Sequence, residues 1–433
     1  IAEKNNDPYH LWFITDYLFM NYYYLNDHVN CMKYLDKNRT YCKALNRKSN
    51  TKILQLREAL FLLMNGQTSQ IEEKLLDSYS YFVTTKDKWS EQASLYLSIY
   101  YLHIDLPGLA AKYLKIFLEG EGFLPIDVLK TRLVIDFALS NPELKQYKKS
   151  IHESFEKFFI YLNSGWTSPE YKIKMKEQAE TLYDIKMTSF GGLQFASRGE
   201  PVPDSKWRKK KGKSVLANMM LNPGVQYNKD KLINIFYPDI KPETADENFR
   251  QAIFNIRSVF KNPYLNILLY ESKMLQLNPD CYYKSDAMEF DQNYKTARST
   301  EKDASMKIKA CRNAINIYKG EFLEGFYELW CEDIRNEYSN KFISMYELML
   351  NLLNAEGSYD EIIEYSENLL KYDSLNETAF TCMVEAFINL NKSKSARQTY
   401  KRMLNIYEKE LGERPNNKTL DHMNSLLKVS SSS

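Results

Sequence analysis

The chain has 433 residues, 44% of them hydrophobic, which is more than one core can hold and points to two to four domains. Lys and Arg number 58 against 56 Asp and Glu, so the net charge of +2 exerts no global pull on nucleic acid, and any such role has to come from local clustering. With 14 Gly and 13 Pro helix should dominate, and the lack of any apolar run near the roughly 20 residues of a bilayer crossing argues against a membrane role.

From about Tyr9 to Tyr183, amphipathic patterns of roughly 14 to 20 residues follow one another, joined by turns such as Asn65-Gly66-Gln67 and Asp105-Leu106-Pro107-Gly108. The run predicts a stack of helix pairs over residues 1–183. Leu109-Ala110-Ala111-Lys112-Tyr113-Leu114 supplies the small-residue start that lets paired helices of a tetratricopeptide-like repeat approach closely. Such a module offers a surface to a ligand or protein partner, and Trp12, Phe13, Tyr22, Tyr23 and Tyr24 read as core or as the wall of a small-molecule pocket. The chain opens in repeat material at Ile1, which leaves open whether a further N-terminal domain precedes it; no G-x-x-x-x-G-K-[ST] loop occurs within the chain.

Residues 184–280 change character. Asp184 to Phe190 alternates toward Gly191-Gly192, and Leu193-Gln194-Phe195-Ala196 follows, which predicts a hairpin. A first helix is expected from Lys210 to Leu221 with Val215, Leu216, Met219 and Met220 inward, stopped by Asn222-Pro223-Gly224. A second, from about Asn228 to Phe236, should bury Leu232, Ile235 and Phe236. The third should run to Phe260 behind an N-cap at Thr244, burying Ala245, Phe249, Ile253, Ile256 and Phe260. Leu265–Tyr270 and Met274–Leu277 then form a closing hairpin around Glu271-Ser272-Lys273.

A hairpin, three helices and a terminal hairpin are the parts of a winged helix-turn-helix, whose last helix enters the major groove of duplex DNA. With the apolar set inward, Glu247, Asn248, Gln251, Asn255 and Ser258 should point outward, with Arg250 and Arg257 at the margins. Amide side chains can pair with adenine edges, and arginines with guanine or phosphate. Upstream, Lys206-Trp207-Arg208-Lys209-Lys210-Lys211-Gly212-Lys213 packs six cations into eight residues at the start of the first helix, where phosphate neutralisation is favoured. The expected DNA contacts are Trp207, Arg208, Lys209, Lys210, Lys211 and Lys213 with the third-helix set, plus Lys261 and Lys273 near the wing.

In residues 281–433 a shift of 34 residues superposes Met349, Leu350 and Leu353 on Met383, Val384 and Phe387. It also places Gly357, Ile362, Leu369 and Leu370 on Asn391, Ala396, Met403 and Leu404. That period matches the tetratricopeptide repeat of about 34. The fold class expected is therefore mainly α, with tetratricopeptide-like helical repeats flanking a small α+β winged helix-turn-helix domain.

Six cysteines without a CxxC pair suggest neither a zinc site nor a disulfide framework and read as reduced thiols of a cytoplasmic protein. Five histidines are scattered, and the trio Asp286, Glu289 and Asp291 has no nucleophile nearby, so no catalytic residue, metal or cofactor is expected.

Residues 185–427 resemble the SARP family of bacterial activators, a response-regulator-type winged helix followed by a bacterial transcriptional activator domain. The resemblance is carried by Phe190-Gly191-Gly192-Leu193, Trp207, Val215-Leu216-Ala217, Tyr237-Pro238-Asp239 and Ile256-Arg257-Ser258-Val259-Phe260. It continues through Asp286-Ala287-Met288-Glu289-Phe290, Tyr318-Lys319-Gly320-Glu321-Phe322-Leu323, Trp330, Arg335 and Leu411-Gly412-Glu413-Arg414-Pro415. The chain departs from the pattern at Tyr270-Glu271-Ser272-Lys273-Met274, where the family usually has a Gly before its Tyr, and at Phe254, a typically cationic position.

The resemblance implies recognition of promoter direct repeats as a dimer or in tandem, with Tyr237, Asp239, Lys241 and Glu243 in a loop that contacts RNA polymerase. Two rival readings start from the same residues. One is a protein-interaction scaffold in which the winged helix is a contact module. The other is an RNA-binding regulator, for which the third helix offers only Phe254 as a stacking aromatic.

Overall fold

The computed structural model describes residues 7–120, 130–163, 169–208 and 210–429. Helix α1 (Pro8–Tyr24) opens with Pro8 at its first turn and the Asp7 carboxylate accepting the Tyr9 amide hydrogen at 3.0 Å. It is followed by α2 (His28–Leu45), α3 (Lys48–Met64), α4 (Ile71–Thr85), α5 (Trp89–His103) and α6 (Pro107–Glu119). Each packs on the next, and α3 also meets α5. The expected turns lie where the chain needs left-handed backbone, at Gly66 (φ +69°) and Asp105 (φ +58°). Ala110 and Ala111 are buried where α6 crosses α5, and Tyr113 stacks on Tyr101 at 5.6 Å.

Inside this stack Arg57 reaches back to α1 and takes the Asp16 carboxylate with two bonds of 2.8 and 2.9 Å. Both charges are buried, a placement tolerable only when paired and hydrogen-bonded. The aromatic group of α1 does not form one wall: Trp12, Tyr23 and Tyr24 are buried, Tyr22 stacks on Tyr34 at 5.4 Å, and Phe13 faces solvent.

The chain continues through α7 (Arg132–Ser140), α8 (Lys148–Asn163) and α9 (Pro169–Ala179) into two small sheets. In the first, β1 (Ile185–Thr188) pairs antiparallel with β2 (Gln194–Ser197), which pairs with β3 (Glu200–Pro201). The other side of β1 takes a parallel strand from a hundred residues downstream, β7 (Tyr283–Ser285). Between them lie α10 (Lys210–Leu221), β4 (Tyr227–Asn228), α11 (Lys229–Phe236), α12 (Pro242–Val259), β5 (Leu268–Glu271) and β6 (Met274–Leu277). The second sheet has the order β4-β6-β5.

Three expectations about these helices need correction. Helix α12 begins at Pro242 rather than behind Thr244, because Pro at a first helical position fixes φ and gives up an amide that has no partner there anyway. Ile235, expected inward, is exposed, while Leu232 and Phe236 alone carry the buried side of the short α11. Ile253 is half-buried, and Ala252 takes a core place on that turn.

Beyond β7 come α13 (Asp286–Arg298), α14 (Ala304–Ile317), α15 (Leu329–Glu356), α16 (Tyr359–Leu369), α17 (Glu377–Asn389), α18 (Ser393–Leu411) and α19 (Asn417–Val429). The 34-residue correspondence has a structural counterpart. Gly357 and Asn391 both end a helix with positive φ, +76° and +57°, and Ile362 and Ala396 are both wholly buried, as are Leu369 and Met403. The molecule is mainly α with a small α+β middle.

All six cysteines are buried and unpaired. Burial pushes the Cys31, Cys331 and Cys382 thiols up to about 12, which leaves them unreactive near neutral pH. No described helix is long and apolar enough to cross a membrane.

Candidate nucleic-acid interface

The sequence between residues 204 and 277 holds thirteen Lys and Arg against seven Asp and Glu, an excess that the remainder of the chain offsets. Helix α12 supports the polar part of this unit. Phe249 and Ile256 are buried under it, and its opposite face exposes Glu247, Arg250, Gln251, Phe254, Arg257 and Ser258, with Asn248 at the margin. Arg208, Lys210 and Lys261 are exposed nearby, and Lys273 is exposed at the tip of the β5–β6 hairpin. Lys209 lies outside the described residues.

An open recess of about 240 Å³ separates the start of α10 from α12, lined by Arg208 and Lys211 on one side and Glu247, Asn248, Gln251 and Phe254 on the other. Two cations at a helix N-terminus, beside amides on the next helix, suit a phosphate with an adjacent base edge. Glu247 works against an anion in the same recess, and suits a cytosine amino group instead.

Four expected contacts are buried, although Asn255 and Tyr237 still line the floor of the recess. Asn255 is only 6% exposed because Gly212 lets α10 close onto α12: a side chain at Gly212 would stand 3.3 Å from Asn255 Oδ1 and 3.4 Å from the Ala252 carbonyl oxygen. The Asn255 amide nitrogen donates to the Lys206 carbonyl at 3.4 Å, and its Oδ1 has no hydrogen-bond partner. Trp207 is a core residue, wedged between Phe195 and Phe260 at 5.5 and 5.9 Å. Lys213 is buried along its length and donates to Asp204 at 2.7 Å, an arrangement that holds the Asp204 carboxyl below its ordinary pKa. Tyr237, expected in the polymerase loop, is buried, and its hydroxyl donates to the Asn248 carbonyl at 3.3 Å. Burial pushes that hydroxyl up to about 12.

Three of the remaining cations, Lys211, Arg257 and Arg250, are partly engaged. Lys211 sits 3.3 Å from Glu328 and over the Tyr237 ring. Arg257 donates to the Leu268 carbonyl at 3.0 Å and so ties α12 to β5, the first strand of the closing hairpin. Sequence periodicity could not show this bond, since it depends on where the hairpin folds back. Asp246 takes Lys229 and, at 2.7 Å, Arg250; the Lys229 ammonium holds its carboxyl low and fixes the first turns of α12 against α11. Of the other expected polymerase contacts, Asp239 and Lys241 are exposed in the loop before α12 and Glu243 is exposed in its first turn.

The acidic trio is occupied by structure. Asp286 accepts from the amides of Ser189 and Phe190 at 2.7 and 3.0 Å, Asp291 accepts from the Tyr338 hydroxyl at 2.9 Å, and Glu289 pairs with Lys284 at 3.2 Å.

Residues 285–427 match the family described as the bacterial transcriptional activator domain. No curated protein matches the chain. The solved structure "Mycobacterium tuberculosis EmbR in complex with low affinity phosphopeptide" is similar over 57% of this chain and 65% of that one, with 18% identity and a TM-score of 0.48. The chain thus covers less than two thirds of that protein, and no functional conclusion rests on the likeness.

Proposed function

We propose that this protein is a transcription activator of the SARP type that reads double-stranded DNA with α12 and the wing and recruits RNA polymerase. The activator-domain match at residues 285–427 supports the activator role. The observation that carries the DNA reading is the exposed face of α12, polar around Phe254, beside the exposed cations Arg208 and Lys210. Cations fix register on phosphates, and Gln251, Asn248 and Glu247 read base edges. Asp239, Lys241 and Glu243 form the surface offered to polymerase. The protein binds promoter direct repeats as a dimer or in tandem, its flanking modules are tetratricopeptide-like, and no catalytic step, metal or cofactor is assigned to it.

Selection of bound duplexes from a random pool by the whole chain is the test. Recovery of a repeated motif is expected. A pool that emerges unenriched, with no salt-dependent retention of duplex, would overturn the reading. A protein-contact role for the same helix is favoured by one observation, the 59% exposure of Phe254 at the centre of its outer face. Binding that survives high salt would support that rival, because phosphate contacts do not.

A further inference from the structure

We propose that the N-terminal stack sets the pose of the wing, and through it the affinity for DNA, by gripping both roots of the β5–β6 hairpin with α7 and α8. The consequence for affinity rests on the DNA reading above; the grip itself does not.

The near root leaves α12. Asn262 donates through Nδ2 to Asp136 on α7 at 3.4 Å, while its Oδ1 accepts the amides of Tyr264 and Leu265 at 2.9 and 3.2 Å. The Tyr264 ring meets Phe137, the next residue of α7, edge-on at 5.7 Å. The far root leaves β6. Its Tyr282 ring stacks on Phe155 of α8 at 3.8 Å and its hydroxyl pairs with His152 Nδ1 at 2.6 Å, while Asp280 takes Lys148.

One side chain joins the two grips. Arg132 sits 3.1 Å from Asp136 and lies over the Tyr282 ring at 4.9 Å. It also pairs with Asp184, whose carboxylate accepts the Tyr282 amide at 2.9 Å, and Arg198 closes the group by bonding both Asp136 and Asp184. Asp136 and Asp184 are almost wholly buried, so two aspartates and two arginines form a compact neutral cluster between the stack and the winged unit. Such a cluster holds one arrangement and tolerates little sliding, because any displacement leaves a buried charge unpaired. Between the roots, the hairpin tip at Glu271-Ser272-Lys273 is exposed and makes its turn with positive φ at Ser272 and Lys273. The tip is also held by β4, which pairs with β6, and by the Lys229 amide donating to the Lys273 carbonyl at 2.9 Å, so the roots set the orientation of the hairpin together with that strand. Asp136, Phe137 and Tyr282 are positioning residues: a change in the stack that moves α7 or α8 moves the wing.

Conservative loosening tests this in the full chain. Phe137→Leu keeps most of the bulk at the near root, and Tyr282→Phe removes only the hydroxyl at the far root. Both should retain parental helix content and accelerate amide exchange across residues 268–277 by about fivefold or more, with α17 unchanged. Both should weaken binding to a random-sequence duplex by about threefold, and Lys273→Ala should cost less in these backgrounds than in the parent, because a loosened wing no longer presents Lys273. Unchanged wing exchange in both variants overturns the grip. Faster exchange with duplex affinity unchanged, or with a Lys273→Ala effect that adds in full, overturns the link from wing to affinity. If the parent binds no duplex, the function proposed above falls, and wing exchange alone decides the grip.

Discussion

Gln251 and Asn255 are the same kind of side chain one helical turn apart, yet only Gln251 faces solvent. Gln251→Ala should change base preference at one position, with a loss of about 1–3 kcal/mol for the preferred base. Asn255→Ala should lower the melting temperature and leave the preference profile as it was, since its carboxamide is turned toward Gly212 and the Lys206 carbonyl. Comparing motifs selected by the two variants decides the matter, and a new motif with Asn255→Ala would contradict the burial. The cations sort in the same way. Arg208→Ala with Lys210→Ala should weaken binding to every duplex and reduce the salt slope by about 2, whereas Lys213→Ala should act on stability through its lost bond to Asp204. At this scale the sequence showed the residue types correctly and the available faces incompletely. Helical periodicity assigns Asn255 to the outward polar face, and whether that part of the face is covered depends on how near a second helix comes. The signal was the glycine inside the basic run, Gly212, which lets α10 approach.

Elements were more legible than contacts. The helix from Lys210 to Leu221 has the bounds its apolar spacing predicts, and the two hairpins stand where Gly191-Gly192 and Ser272-Lys273 allow left-handed backbone. The parallel pairing of β1 with β7 was not legible, because a three-residue strand has too little alternation to register and its partner lies about a hundred residues away. That sheet is also tied to the N-terminal stack by Glu180, which holds Lys186 on β1 at 2.5 Å and Lys284 on β7 at 3.2 Å. Burial by itself raises the Glu180 carboxyl, but the two ammonium groups more than offset it and the net pKa is lowered. A carboxyl lowered in the folded state contributes stability that is complete above its unfolded value and is lost as pH falls through the folded one. Stability should therefore decline as the solution is acidified below about 4.3, the ordinary glutamate value. Glu180→Gln should flatten part of that decline in denaturant titrations run at several pH values. An unchanged pH profile would show that Glu180 is not among the groups responsible.

Over the whole molecule, several of the motifs that carry the family resemblance meet at one joint. Phe190-Gly191 meets Gly320-Glu321-Phe322: Phe190 and Phe322 form a bridge, the Gly191 amide donates to the Glu321 carbonyl at 3.0 Å, and Leu323 donates to Ser189 at 2.8 Å. Trp330 packs on Phe236 of α11 at 5.6 Å, and Arg335 donates to the carbonyls of Phe322, Leu323 and Phe326. No spacing rule connects positions 190 and 320, so the order of the motifs was readable and their meeting was not. The unit of residues 184–280 and the C-terminal helices consequently share one core, and strain placed in the joint should be felt by both. Gly320 is the sharpest point for this test, because a side chain there would stand 2.9 Å from the Gly191 Cα, a backbone atom that cannot swing aside. Gly320→Val should cost about 1–3 kcal/mol as overpacking. Calorimetry should show residues 184–280 and the C-terminal helices losing stability together, with duplex affinity falling although the substitution is remote from α12. If only the activator helices melt earlier and DNA binding is untouched, the two units are mechanically independent and the joint is a contact without a coupling role.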